Sequence, residues 1–172
     1  MAHGARDRYE QRMFDFAPAD NGDKTALYRD LTAAVVAITD GERDGIANMA
    51  NCAALMAEFL PHLNWAGFYR TIGDELVLGP FVGRPACIRI PMGKGVCGTA
   101  AAEARTVLVE DVHAFPGHIA CDAASQSELV VPIIRDGKVL AVIDLDSPNR
   151  ARFDEEDRAG IEAVAAILSS RI

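Results

Sequence analysis

Apolar residues recur every three or four positions near both ends of the chain, which is the spacing of amphipathic helices. The segment KTALYRDLTAAVVAITD predicts a first helix from Asp23 that ends near Gly41. A second helix is predicted from about Asp44 to Pro61, since proline cannot continue a helix. The C-terminal segment FDEEDRAGIEAVAAILSSRI predicts a third, because its first acids suit the positive end of a helix dipole.

Short apolar runs between these helices predict strands. They are NWAGFYRTI, ELVLGPF, ACIRIPM, TVLVEDV, ELVVPII and KVLAVIDLD. Two tight hairpins are predicted, at Gly73-Asp74 and at Asp136-Gly137. Residues 93–104 indicate a glycine turn that enters a short alanine helix. Helices at both ends of a mostly antiparallel central sheet predict an α+β fold with the N- and C-terminal helices packed on one side.

Length and composition favour one domain. A chain of 172 residues that is half apolar can form one good core, which we place in residues 23–172. Residues 1–22 are polar and irregular, and they predict a flexible N-terminal extension.

The net charge of -8 disfavours binding to nucleic acid or to an anionic membrane. Without a signal peptide or a membrane span, a reducing cytoplasm is expected, where cysteines are thiols rather than structural disulfides.

Three of the four cysteines lie in the glycine- and proline-rich residues 79–124. Cys121 follows His118 in a predicted loop, the partly exposed setting that a reactive thiolate needs. Attack on an oxidised centre would leave a sulfenic acid, which Cys87 or Cys97 could convert into a disulfide. The fourth, Cys52, lies within the second predicted helix and is interpreted as a small core residue.

The sequence is compatible with two other roles for these cysteines. All three could be buried spacers, because cysteine is among the most buried residue types. Alternatively, His113, His118 and Cys121 could join an upstream cysteine in a zinc site, although the spacing matches no CxxC motif.

Carboxylates form a second candidate constellation. Asp144 and Asp146 lie two apart on a predicted strand and therefore point to one face, and Glu128 opens a neighbouring strand. Three converging acids repel each other unless an ammonium group or a metal ion neutralises them, so they indicate a site for a cationic ligand. The alternative is that they are solvated residues at strand ends. Trp65 and Tyr69 also share a strand face and could either enclose a small apolar group or belong to the core.

The acids and the thiols are in tension, because nearby carboxylates raise the pKa of a thiol. A basic side chain such as His118, Arg84 or Arg89 would have to offset them. The alternative is that one acid stays protonated and donates its proton to a leaving oxygen.

Several long motifs resemble one family from about Asp23 to the C-terminus. NWAGFY, LVLGPFVGRPACIRIPMGKGVCGTA, EDVHAFPGHIACDAASQSELVVPI and VIDLDS are similar to segments of the GAF-domain free methionine-(R)-sulfoxide reductases. The resemblance implies an enzyme that reduces the free amino acid sulfoxide and leaves the peptide-bound form alone. It further implies no bound cofactor, thioredoxin as reductant with NADPH consumed upstream, and a homodimer.

The resemblance also implies roles for individual residues. Cys121 would be the attacking thiolate and Cys87 the first resolving thiol, with Cys97 relaying the disulfide. The acids would contact the ammonium and sulfoxide groups of the substrate, and the aromatic side chains would surround its methyl end; they are Glu128, Asp144, Asp146, Trp65 and Tyr69. A GAF-type sensor that binds a small ligand or senses oxidants without turnover is the alternative.

Overall fold

The computed structural model describes residues 23–117 and 123–172. The helices are α1 (Lys24–Ile38), α2 (Gly45–Phe59), α3 (Gly95–Glu103) and α4 (Glu155–Leu168). The strands are β1 (Trp65–Ile72), β2 (Glu75–Gly83), β3 (Arg89–Pro91), β4 (Val107–Val109), β5 (Ser127–Arg135) and β6 (Lys138–Ser147). Residues 1–22, predicted as an extension, lie outside the described ranges. Within those ranges no helix is both long and apolar enough to cross a membrane.

Aspartate side chains set the start of three helices. Asp23 accepts a hydrogen bond from the amide of Thr25, and Asp44 accepts two from the first turn of α2. Asp154 forms a capping box with Asp157 at the start of α4. Each contact satisfies amides that have no partner within the helix. These caps are local in sequence, so the predicted helix starts are confirmed to within a residue or two.

The six strands form one sheet in the order β3-β2-β1-β6-β5-β4, and every pairing between neighbours is antiparallel. Both predicted hairpins are present. Asp136 and Gly137 have φ values of 52° and 74°, the left-handed region that a tight hairpin turn requires. The third predicted strand is shorter than expected, so Cys87 lies in the loop before β3 rather than on a strand.

Both faces of the sheet are covered. Helices α1, α2 and α4 pack on one face, where Ile143 and Leu145 of β6 are fully buried and Cys52 of α2 fills the core as predicted. Helix α3 covers the other face, against apolar side chains that include Val142. Because side chains alternate along a strand, the Asp144 side chain points to the same face as that of Val142, towards α3. The α+β architecture with the terminal helices on one side is therefore confirmed.

Candidate active site

Strand register brings the acids and the aromatic side chains together on the α3 face of the sheet. In the β1–β6 ladder, Trp65 lies opposite Asp146 and Gly67 lies opposite Asp144. In the β5–β6 ladder, Glu128 also lies opposite Asp146. Directly opposed residues of antiparallel strands point to the same face. Three neighbouring central strands thus supply one cluster of functional groups.

Three aromatic rings form a stack at one side of this cluster. The Trp65 and Tyr69 ring centroids are 5.9 Å apart with planes inclined by 20°, and those of Trp65 and Phe81 are 5.2 Å apart and inclined by 11°. Gly67 lies between Trp65 and Tyr69 on β1. A Cβ atom there would overlap Phe81 and lie 2.7 Å from Cη2 of Trp65. The stack therefore depends on the missing side chain at position 67.

Replacing Gly67 by alanine should disturb this stack. We expect Gly67→Ala to lower the free energy of unfolding by about 1–3 kcal/mol, the usual cost of overpacking. Trp65 is the single tryptophan of the chain, so its fluorescence should shift in the folded variant. Gly73→Ala is the control: its φ of +65° disfavours alanine, but a Cβ atom there meets nothing within 4 Å. An unchanged emission spectrum in Gly67→Ala would contradict the described packing.

The aromatic side chains also hold the loop that carries Cys87, residues 84–88 between β2 and β3. Trp65 Nε1 donates a hydrogen bond of 3.1 Å to the carbonyl of Arg84, and the Tyr69 hydroxyl donates one of 3.0 Å to the carbonyl of Cys87. Arg84, Pro85 and Ala86 of this loop line one side of a narrow pocket. The pocket is lined by Trp65, Tyr69, Arg84, Pro85, Ala86, Asp144 and Asp146.

Next to the pocket, Cys97 meets two of the three acids. Cys97 lies in the first turn of α3, and its Sγ donates a long hydrogen bond of 3.9 Å to Oε1 of Glu128. One ligand atom from each of Cys97, Glu128 and Asp144 lies within 4.8 Å of the other two. Their exposed fractions are only 4%, 6% and 6%. Oδ1 of Asp144 is buried and has no hydrogen-bond partner in the part of the chain that the structure describes.

Burial favours the neutral forms of all three groups. It raises the pKa of Asp144 to about 6, against the opposing effect of hydrogen bonds with Cys97 and Glu128. Burial, together with the charges of Asp144 and Asp146, holds the pKa of Glu128 well above its ordinary value. The pKa of Cys97 is raised well above that of a free thiol, first by burial and then by the two neighbouring acids. The amino end of α3 would favour a thiolate, but these effects outweigh it.

The described cysteines differ in their redox state. Cys87 is disulfide-bonded, whereas Cys52 and Cys97 are free thiols, so neither of these two is its partner. Among the described cysteines, Cys97 is the thiol that contacts the acids. The predicted tension between carboxylates and thiols therefore applies to Cys97. Cys121 and His118 lie outside the described ranges, and so does the predicted site around them.

The remaining candidates are placed around the cluster. Arg84 lines the pocket, while Arg89 forms an ion pair with Glu75 and is engaged there. His113 lies in the short 3-10 helix Val112–Ala114. Among the described residues, the group of possible metal ligands is Cys97, Glu128 and Asp144, without His113. Sequence reasoning missed the pairing of Cys97 with the acids. It also missed that Phe81 joins the aromatic stack and that Gly67 leaves room for it. The alternation of side chains along β1 and β2 was the signal available for these two roles.

The class of protein is defined by an antiparallel six-stranded sheet. Helices α1, α2 and α4 cover one of its faces, and α3 and the candidate site lie on the other. The family model described as GAF domain matches residues 29–172. The free methionine-R-sulfoxide reductase of Escherichia coli is 49% identical over 145 residues, 84% of this chain and 88% of that protein. The enzyme of the same name from Saccharomyces cerevisiae is 41% identical over 159 residues, 88% of each chain.

A solved structure agrees with these relatives. The free methionine-R-sulfoxide reductase of Neisseria meningitidis, in complex with its substrate, superposes with a TM-score of 0.86 at 45% identity. The match covers 91% of this chain and 95% of that one. This chain belongs to the GAF-domain family of free methionine-R-sulfoxide reductases, and the resemblance found in its motifs is confirmed.

Proposed function

We propose that this protein reduces free L-methionine-(R)-sulfoxide to methionine by thiol chemistry. The main support is the position of the disulfide-bonded Cys87, whose loop lines a pocket that is also walled by stacked aromatic rings and by acids. A cysteine that forms a disulfide beside a concave, partly apolar site is suited to a thiol oxidoreductase. The activity carried in the names of the close relatives gives the substrate.

In the proposed first step, the thiolate of Cys121 attacks the sulfoxide sulfur. An acid of the cluster protonates the oxygen. The S–O bond and the transient S–S bond then break as the hydroxyl passes to the Cys121 sulfur, which becomes a sulfenic acid, and methionine leaves with the electron pair of the S–S bond. A general acid needs a proton near neutral pH and a position beside the leaving group. The raised pKa values of Glu128 and Asp144 support their assignment to this role.

In the second step, the Cys87 thiol attacks the sulfenic sulfur and releases water, which leaves a Cys87–Cys121 disulfide. A dithiol reductant of the thioredoxin type then restores both thiols. The overall reaction converts a sulfoxide and a dithiol into methionine, a disulfide and water. The disulfide-bonded state of Cys87 supports its role as first resolving thiol. The burial and raised pKa of Cys97 argue against its early participation.

The acids would also select the free amino acid. Of Glu128, Asp144 and Asp146, the acid that donates the proton contacts the sulfoxide oxygen, and the ionised acids can pair with a substrate ammonium group, which methionine within a peptide lacks. Trp65 and Tyr69 would surround the methyl end, since their stacked rings form an apolar wall beside the acids.

A coupled assay tests the substrate assignment. With thioredoxin, its reductase and NADPH, we expect NADPH to be consumed with free R-sulfoxide and not with the free S-sulfoxide or with a peptide that carries the R form. Methionine release should match NADPH oxidation one to one. Turnover of the peptide, or of the S form alone, would overturn the assignment. Binding of one equivalent of sulfoxide without methionine release would favour the sensor alternative.

A further inference from the structure

The buried cluster of Cys97, Glu128 and Asp144 has the composition of a metal site. One sulfur and two carboxylate oxygens come within 4.8 Å of one another, from three different elements of the fold. The three side chains are at least nine-tenths buried. Such a group is costly when ionised unless a cation compensates it.

A second observation points to a missing ligand. Oδ1 of Asp144 is buried without a hydrogen-bond partner in the described residues, although buried carboxylate oxygens normally have one. The same residue also lines the pocket beside the Cys87 loop. An orphaned acceptor beside a thiol and a second carboxylate is an electron-pair donor available to a cation.

The donor set discriminates between cations. Calcium and magnesium bind six or more oxygen ligands, and a thiol is a poor ligand for either. Zinc binds cysteine sulfur at about 2.3 Å and carboxylate oxygen at about 2.1 Å, so a tetrahedral angle separates these two ligand atoms by roughly 3.6 Å. The observed distance between Cys97 Sγ and Glu128 Oε1 is 3.9 Å. Zinc therefore requires only a small adjustment of the two side chains.

We propose that Cys97, Glu128 and Asp144 form an inhibitory zinc site, with water as the fourth ligand. Zinc bound there occupies the two carboxylates that would otherwise pair with the substrate ammonium group, and it holds the Cys97 sulfur as a thiolate. Metal and substrate then exclude each other. The exclusion rests on the proposed function, whereas the binding of zinc does not.

Calorimetric titration with zinc chloride tests the site directly. The protein is treated with chelator and kept with its disulfide intact, so that Cys87 cannot act as a ligand. We expect one zinc per chain, and binding at least about 100-fold weaker in Cys97→Ala and in Asp144→Asn, since loss of even an outer-shell partner costs 10–100-fold. Cys52→Ala is the matched control, because it removes a buried free thiol in α2 that lies on the other face of the sheet.

Cobalt provides a spectroscopic readout of the sulfur ligand. Co²⁺ bound in place of zinc should give a thiolate-to-metal charge-transfer band in the wild-type protein, lost in Cys97→Ala and kept in Cys52→Ala. Circular dichroism establishes that each variant is folded. Absence of one-to-one binding, unchanged binding in Cys97→Ala, or loss of binding in His113→Ala instead would overturn the proposal. Zinc binding without sulfoxide turnover would support the site and contradict only the proposed function.

Discussion

A Cys121→Ser variant is expected to lose turnover of free methionine-(R)-sulfoxide by at least about 10³-fold, because a hydroxyl cannot replace a thiolate as the attacking nucleophile at neutral pH. The loss should be the same with thioredoxin and with dithiothreitol, since both act only after the first step. Methionine release in the coupled assay is the measurement. Full turnover by Cys121→Ser would contradict the mechanism.

Two companion variants show which step is lost. Cys87→Ser should still release one methionine per chain in a single-turnover experiment and then stop with thioredoxin, because Cys121 remains as a sulfenic acid. That acid can be trapped with dimedone and detected by mass. Cys52→Ala should turn over like the wild type, since Cys52 is buried in the core of the opposite face. Continuous thioredoxin-dependent turnover by Cys87→Ser would remove Cys87 from the proposed cycle.

Asp144→Asn is expected to lower activity while it raises stability. Asp144 is a proposed substrate ligand and proton donor, and loss of such a group typically costs about 10²-fold or more in rate. Its carboxyl is also buried with an unpaired oxygen, so its ionised form opposes folding. The folded pKa of about 6, against an ordinary value of 3.8, corresponds to about 3 kcal/mol.

The raised pKa of Asp144 makes the free energy of unfolding depend on pH. A raised folded pKa contributes stability that is complete below the unfolded value and is lost as the pH rises through the folded value. The wild-type free energy of unfolding should therefore fall between about pH 4 and about pH 7. Asp144→Asn should lack part of this decline and be the more stable protein at about pH 8, as measured by urea unfolding. Asp74→Asn, an exposed hairpin carboxyl, serves as the control.

Two outcomes would count against this account of Asp144. A variant that is less stable than the wild type at about pH 8 would mean that the carboxylate has a stabilising partner. Unchanged kcat and KM would separate the acid cluster from the reaction, even if the stability gain were observed.

Local signals explain why much of the fold could be predicted. Asp23, Asp44 and Asp154 cap the helices that follow them within a few residues, and the Asp136-Gly137 turn needs only its own backbone angles. The shared face of Asp144 and Asp146 follows from the alternation of side chains along one strand. These interactions span few positions, so they can be recognised from residue type and spacing.

By itself, the sequence determined the order of helices and strands, the two hairpins, the family, and the set of thiols, acids and aromatic side chains available for chemistry. Only the tertiary structure decided which of them meet. The contact of Cys97 with Glu128 joins residues 31 positions apart, and it depends on the placement of α3 across the sheet. The position of the loop beside the pocket likewise depends on the hydrogen bonds of Trp65 and Tyr69 to the carbonyls of Arg84 and Cys87. Such contacts arise from strand register and packing of the whole domain, which no short segment encodes.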